Sequence, residues 1–88
     1  MPNGDEIRLD QLQPHQFGRV CYIEALDEDA ERLMALGVCT GRKVELIKTG
    51  DPLILKVFAS RVGVSARLAA RVFVKPLDPD GSALNAAG

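Results

Sequence analysis

Residues 33–47 read LMALGVCTGRKVELI, and this stretch decides the predicted fold. It begins in a helical pattern and ends in an alternation of apolar and polar residues that is typical of a strand. Gly37 is predicted to end the helix, because glycine adopts the left-handed conformation without the penalty that a Cβ imposes. Gly41, which follows Thr40, indicates a second turn with positive φ. We therefore expect the chain to leave a helix, turn and enter a strand within a few residues.

The segment before Gly37 has the clearest helical periodicity of the chain. Asp27 or Asp29 suits its N-cap, and the acidic residues around them lie at the positive end of the helix dipole. Its apolar positions recur at i, i+3, i+4 and i+7 and form a face to be buried, which consists of Ala30, Leu33, Met34 and Gly37.

Short alternating segments rich in β-branched residues surround this helix and predict strands. An extended lead-in at 7–18 precedes them, the sequence GDP at 50–52 indicates a hairpin, and Ser65 suits the cap of a one-turn helix. In the first strand, the face predicted to be buried carries Cys21, Ile23 and Ala25. The strands are expected within 19–26, 42–49, 53–59, 60–64 and 71–77. This order predicts a mainly β protein with one short α-helix, folded as a small, partly open barrel of about five strands.

The length of 88 residues suits one small domain. We expect residues 7–77 to form it, with 1–6 and 78–88 as flexible ends. No stretch reaches the roughly 20 apolar residues of a membrane span, and the first residues lack the basic and apolar regions of a secretory signal. The protein is therefore predicted to be cytoplasmic.

Its formal net charge of −1 argues against nucleic-acid binding, which generally needs a basic surplus.

No constellation of residues predicts catalysis, so we expect a protein that is not an enzyme and has no cofactor. His15 is the only histidine and has no nucleophile signature around it. No phosphate-binding lysine and serine follow Gly37 or Gly41. The soft donors Cys21, Cys39 and His15 are weak candidates for a transition metal, although their spacing matches no metal motif. The alternative for the two cysteines is a structural role as free thiols.

The pattern resembles the family of ferrous iron transport protein A (FeoA). The resemblance is carried by LGVCTGRKVELI at 36–47, by the GDP turn and by LAARVFV at 68–74, and the lead-in IRLDQLQPHQFGRVCYI at 7–23 also fits. It spans 7–77 and implies that the predicted barrel is SH3-like. The matching positions are Leu9, Leu12, Pro14, Gly18, Leu36, Gly37, Gly41, Val44, Asp51, Pro52, Ala70 and Val74.

The resemblance implies a non-catalytic accessory protein of ferrous iron transport. Its partner would be the cytosolic GTPase portion of a FeoB-type membrane permease, and the protein would contact the membrane only through that permease. Whether the protein forms homo-oligomers stays an open question at this point. The candidates for contacting that partner are Val38, Cys39, Arg61, Arg67 and Arg71. The three arginines would form a basic edge for an acidic partner, and the alternative is that they are scattered surface residues.

Two other functions stay open at this point. One is an SH3-like interaction or nucleic-acid-binding module of the translation-factor or repressor-associated kind, since the same domain is fused to iron-dependent repressors. The other is direct carriage of iron or zinc through Cys21, Cys39 and His15.

Overall fold

The computed structural model describes residues 6–77, which build one six-stranded antiparallel sheet and one main helix. In chain order the elements are β1 (Ile7–Arg8), a 3-10 helix (Leu9–Gln11), β2 (Phe17–Ile23), α1 (Asp27–Ala35), β3 (Lys43–Lys48), β4 (Leu53–Val57), β5 (Ser60–Val64), α2 (Ala66–Ala69) and β6 (Val72–Leu77). The ends predicted to be flexible, at 1–6 and 78–88, lie outside the described residues except for Glu6. No helix within the described range is long and apolar enough to cross a bilayer.

The strands are arranged in the order β1-β6-β2-β3-β4-β5. From β2 to β5 each strand pairs with the next one along the chain, whereas β6 returns after α2 to the other side of β2. β1 and β5 are therefore the two edges of the sheet. The predicted mainly β, partly open architecture with one short helix is confirmed. The structure adds the two-residue strand β1 to the five strands that were predicted.

The core consists of aliphatic side chains that alternate with outward-facing residues along the strands. The alternation is clear in β3 and β4, whose inner faces are buried and whose intervening residues are more exposed. The outer faces of β3 and β4 are therefore available at the surface. The core cluster consists of Leu9, Leu12, Val20, Leu33, Val38, Val44, Leu46, Leu53, Leu55, Val57, Val64, Leu68, Ala69, Val72 and Val74.

The first long strand differs from its predicted burial pattern. Val20 is buried, whereas Cys21, Ile23 and Ala25 are only partly buried. The pairing of β2 with β6 shifts register between Val20 and Tyr22, so a bulge interrupts the alternation of faces. Tyr22 consequently faces outward and is 39% exposed.

Helix α1 ends where the sequence predicts. Gly37 has φ +91, and its N–H donates to the Met34 carbonyl at 2.9 Å. The N–H of Val38 donates to the Leu33 carbonyl at 2.9 Å. Together these bonds form a Schellman motif, which satisfies carbonyls that the helix leaves without partners.

The start of α1 and its buried face differ from the prediction. The N-cap is Leu26, which makes no side-chain capping bond, and Asp27 is the first helical residue, with φ +55. Of the predicted apolar face, Leu33 is fully buried, but Met34 is 56% exposed. The helix therefore contacts the core through a narrow face centred on Leu33.

Candidate docking site

The outer face of β2, β3 and β4 carries a groove of about 460 Å³. Strand alternation explains its polar side chains, because Lys43 and Glu45 in β3 and Lys56 in β4 stand between core residues. Arg42 enters from the turn before β3, where its backbone N–H donates to the Cys39 carbonyl at 3.0 Å. We call this site the basic groove, and it is lined by Phe17, Arg42, Lys43, Val44, Glu45, Lys56 and Phe58.

Cross-strand pairing on this face brings like charges together. Arg19 in β2 is directly opposite Lys43 in β3, and Lys56 in β4 is directly opposite Arg61 in β5. On the β3 side, Lys56 lies directly opposite Glu45, which is the one carboxylate that lines the groove. Like charges directly opposite each other destabilise a sheet. The single carboxylate of Glu45 offsets only part of the positive charge on this face.

Phe58 projects beside the groove from the tight turn at 58–59, which joins β4 to β5. Its side chain is 76% exposed, although its φ is +58. That backbone region favours glycine and is costly for a bulky residue. The turn therefore presents a large apolar ring to solvent at a conformational cost, a combination that is found at functional sites.

Cations and rings contact each other in the basic groove. The guanidinium carbon of Arg42 lies 4.0 Å from the centre of the Phe58 ring, and Lys43 Nζ lies 5.1 Å from the centre of the Phe17 ring. Arg42 Nη2 also donates to Sγ of Cys39 at 3.7 Å. Arg42 Nη1 is buried and finds no hydrogen-bond partner within residues 6–77. This nitrogen of the guanidinium is therefore left without an acceptor in the part of the chain that the structure describes.

A second groove, of about 420 Å³, lies where β2 leads into α1. Its apolar side chains include Leu26, which is 81% exposed, and Tyr22, whose ring centre lies 5.8 Å from that of Phe73. We call this site the Tyr22 groove, and it is lined by Tyr22, Ile23, Glu24, Ala25, Leu26, Asp29 and Arg71.

Charged residues of the Tyr22 groove are paired with one another. Arg67 donates to both carboxylate oxygens of Asp29, at 3.0 and 3.3 Å, and Arg71 Nη1 lies 3.7 Å from a carboxylate oxygen of Glu24. The hydrogen bonds from Arg67 lower the pKa of Asp29, and the same contact raises the pKa of Arg67. The two arginines are therefore neutralised by the protein itself.

The three weak candidates for metal ligands, Cys21, Cys39 and His15, do not converge. In the described part of the chain, no group of three or more His, Cys, Asp or Glu side chains is arranged to hold a metal ion. Cys21 and Cys39 are partly buried free thiols, and burial, together with a hydrogen bond to Glu6, raises the pKa of Cys21. His15 is exposed, and its Nδ1 lies 3.7 Å from a carboxylate oxygen of Glu45.

The residues predicted to contact a partner are found in different environments. The side chain of Val38 is fully buried in the core and is not available at the surface of the domain. Cys39 is partly buried and accepts the bond from Arg42, and Arg61 is exposed on the edge strand β5. Arg67 and Arg71 have acidic partners, so they offer little free positive charge.

Sequence reasoning missed the lining of the basic groove. The signal was present, because the alternation in KVELIK and LILKV directs Lys43, Glu45 and Lys56 outward. The register between the strands brings these residues together with Arg42 and Phe58. The pattern within one strand does not reveal this register.

The topology and the two shallow grooves define a small SH3-like β domain. FeoA from Stenotrophomonas maltophilia, described as an SH3 domain protein and solved with zinc, is 29% identical; the match covers 85% of this chain and 93% of that chain, with a TM-score of 0.69. An iron uptake regulatory protein, also FeoA, is 24% identical over 82% of this chain and 99% of that chain, with a TM-score of 0.79.

A manganese-dependent transcriptional repressor is 14% identical over 88% of this chain and 45% of that chain, with a TM-score of 0.77, which shows a shared fold alone. No protein of curated function matches the chain significantly. The model of the FeoA domain family matches residues 7–76. The chain therefore belongs to the FeoA domain family.

Proposed function

We propose that this protein is an accessory protein of ferrous iron transport that docks on the cytosolic GTPase portion of a FeoB-type permease. The observation that carries the proposal is the FeoA domain match over residues 7–76, and the SH3-like fold agrees with it. In this proposal the protein is cytoplasmic, has no activity of its own and reaches the membrane only through the permease.

The polar groups of the domain suit a docking protein better than an enzyme. The Ser65 hydroxyl accepts the N–H of Leu68 at 3.3 Å and thereby caps α2. His15 faces the carboxylate of Glu45 instead of a serine or cysteine. Nucleophilic catalysis requires a nucleophile within hydrogen-bond reach of its base, and these pairs are used for local structure.

The proposal includes no resident cofactor. FeoA from Stenotrophomonas maltophilia was solved with zinc, but Cys21, Cys39 and His15 of this chain do not meet in one site. We expect them to bind transition metals only weakly. Titration with Fe²⁺ and Zn²⁺ should give the same affinity for the parent and for the Cys21→Ser/Cys39→Ser variant; a large loss in the variant would reinstate direct metal carriage.

Binding to the purified GTPase portion of the cognate permease tests the proposal. We expect saturable binding in calorimetry and a changed rate of GTP hydrolysis when the protein is added. An SH3-like domain of similar size and charge from another family serves as the control for non-specific effects. If neither binding nor a rate change occurs at high concentrations of both proteins, the proposed function is wrong.

A second candidate function is that of a nucleic-acid-binding or repressor-associated module. The likeness in fold to the manganese-dependent repressor and the basic groove with its two phenylalanines favour it. A gel shift with single-stranded and double-stranded oligonucleotides decides between the two. Strong binding that weakens steeply with added salt would favour this candidate over permease docking.

A further inference from the structure

We propose that the basic groove is the docking surface of this protein and that its occupant is an extended, acidic segment of the partner that carries an aromatic or large aliphatic side chain. The choice of the permease as the source of that segment rests on the function proposed above. The surface and the chemistry of its occupant are argued from the groove itself.

The first argument is charge. Arg42, Lys43 and Lys56 line the groove, and none of them has a carboxylate within ion-pair distance among residues 6–77. Arg19 and Arg61 continue the positive face across the neighbouring strands. The chain as a whole has a net charge of −1, so positive charge is concentrated here. Such a patch steers an acidic partner and discriminates against basic ones.

The second argument is the exposed ring of Phe58. It is 76% exposed in a strained turn, and the guanidinium of Arg42 lies over it at 4.0 Å. An exposed aromatic side chain beside a cation gains most when a partner buries the ring and supplies the counter-charge at the same time. An occupant that is acidic but also carries an apolar residue satisfies both requirements.

The third argument is the free donor of Arg42. Its Nη1 atom is buried without a hydrogen-bond partner in the described chain, directly beside the ring of Phe58. In the proposed complex a carboxylate of the occupant accepts a hydrogen bond from Nη1. Because an unsatisfied buried donor is costly and guanidinium–carboxylate hydrogen bonds are strong, a carboxylate of the partner stabilises the complex at this point.

The position of Glu45 favours a peptide over a nucleic acid. Glu45 lies opposite Lys56 within the groove, and its side chain is 19% exposed. A continuous phosphate backbone crossing the groove would pass close to this carboxylate. Acidic side chains of a peptide are spaced by the strand repeat and can alternate with an uncharged residue at that point.

The test compares two double charge reversals in the full-length protein. Lys43→Glu/Lys56→Glu alters the groove, whereas Arg32→Glu/Lys48→Glu makes the same change in net charge at two exposed basic residues outside it. The probes are the permease GTPase portion, a synthetic peptide of alternating glutamate and phenylalanine, and a single-stranded oligouridylate. Circular dichroism and thermal melting establish that all variants are folded.

We expect the groove variant to lose about tenfold or more in affinity for the GTPase portion and the peptide, and the control variant to lose far less. Equal losses in both variants, or no loss in the groove variant, would overturn the assignment of the surface. Tighter groove-dependent binding of the oligouridylate than of the peptide would overturn the chemistry of the occupant.

The two proposals fail in distinguishable ways. If the parent binds the peptide through the groove but does not bind the permease GTPase portion, the proposed function is wrong and the groove assignment stands. If the parent binds the GTPase portion and the groove variant binds it equally well, the function stands and the surface is wrong. A Phe58→Gly variant, which suits the backbone of the turn, should weaken binding of the GTPase portion and the peptide several-fold while remaining folded.

Discussion

The basic groove and the Tyr22 groove are similar in size, at about 460 and 420 Å³, but they use their charges differently. In the Tyr22 groove, Asp29 and Glu24 are paired with Arg67 and Arg71, so the charges connect α1 with α2 and the residue after β2 with the residue before β6. In the basic groove Arg42 contacts the Phe58 ring and Lys43 contacts the Phe17 ring, and no ion pair within residues 6–77 involves these two cations or Lys56. Paired charges are part of the internal structure, whereas charges without partners are available to another molecule.

The largest expected effect concerns the core under the basic groove. Leu46 is fully buried in β3 between the outward residues of the groove, whereas Leu26 of the Tyr22 groove is 81% exposed. Leu46→Ala should lower the free energy of unfolding by about 2–5 kcal/mol, as large-to-small core changes do. Leu26→Ala should change it by no more than about 0.5 kcal/mol.

Denaturant unfolding of the two variants measures this difference. If Leu26→Ala is as unstable as Leu46→Ala, the Leu26 side chain is buried in solution, and the Tyr22 groove is not an exposed surface like the basic groove.

The second effect concerns the two glycine turns between α1, beside the Tyr22 groove, and β3, in the basic groove. Gly37 and Gly41 have nearly the same φ, +91 and +89, but a Cβ at Gly37 would lie 3.0 Å from Val57 Cγ1, whereas one at Gly41 meets nothing within 4 Å. Gly41→Ala should cost about 1–2 kcal/mol of backbone strain. Gly37→Ala should cost about 1 kcal/mol more, because it also crowds Val57.

Thermal melts of both variants, analysed with the same two-state model, give the comparison. Equal destabilisation would mean that Val57 gives way and that the contact between the helix end and β4 is looser than its geometry indicates.

The third effect is a near-zero change that separates binding from stability. Phe58→Gly removes an αL strain of about 1–2 kcal/mol, and it also removes the cation–π contact, worth about 0.5–1 kcal/mol, and adds backbone entropy to the unfolded state. We expect the free energy of unfolding to stay within about 1 kcal/mol of the parent value.

Phe17→Gly is the matched control, because Phe17 is a partly buried strand residue of the same groove with ordinary backbone geometry. It should be clearly less stable than Phe58→Gly in the same denaturant titration. If Phe58→Gly is instead the less stable variant, Phe58 stabilises the fold and is not exposed in order to bind a partner.

The smallest effect is a pH dependence that arises from the Asp29–Arg67 pair. The hydrogen bonds from Arg67 lower the pKa of Asp29 below its ordinary 3.8. Because the folded pKa is the lower one, the contribution of this pair is present above the unfolded pKa and is lost as the pH falls through the folded value. The parent should therefore lose slightly more stability than Asp29→Asn when acidified below about pH 4.

Denaturant midpoints measured at neutral pH and at successively lower pH give this comparison. A matching difference for Lys56→Met, a change in the basic groove, would contradict the assignment of this pH dependence to the Asp29–Arg67 pair.

Local patterns sufficed for most of the elements of this fold. The Schellman end at Gly37, the Ser65 cap and the antiparallel pairing of β3 with β4 across the GDP turn follow from interactions within a few residues. The burial of Val20 in place of Cys21 did not follow, because it depends on a bulge in the pairing of β2 with a strand that lies about fifty residues further along the chain.

The sequence by itself determined most of the elements of this protein, their order, the helix end and the polar character of the outer strand faces, because each depends on chain neighbours and on the period of the element. Only the tertiary structure decided which of these polar faces becomes a site. Register across β2, β3, β4 and β5 places Lys43, Glu45, Lys56 and Arg61 side by side, and the tight turn after Val57 brings Phe58 over Arg42. These are contacts between residues distant in sequence, and strand pairing is what brings them together.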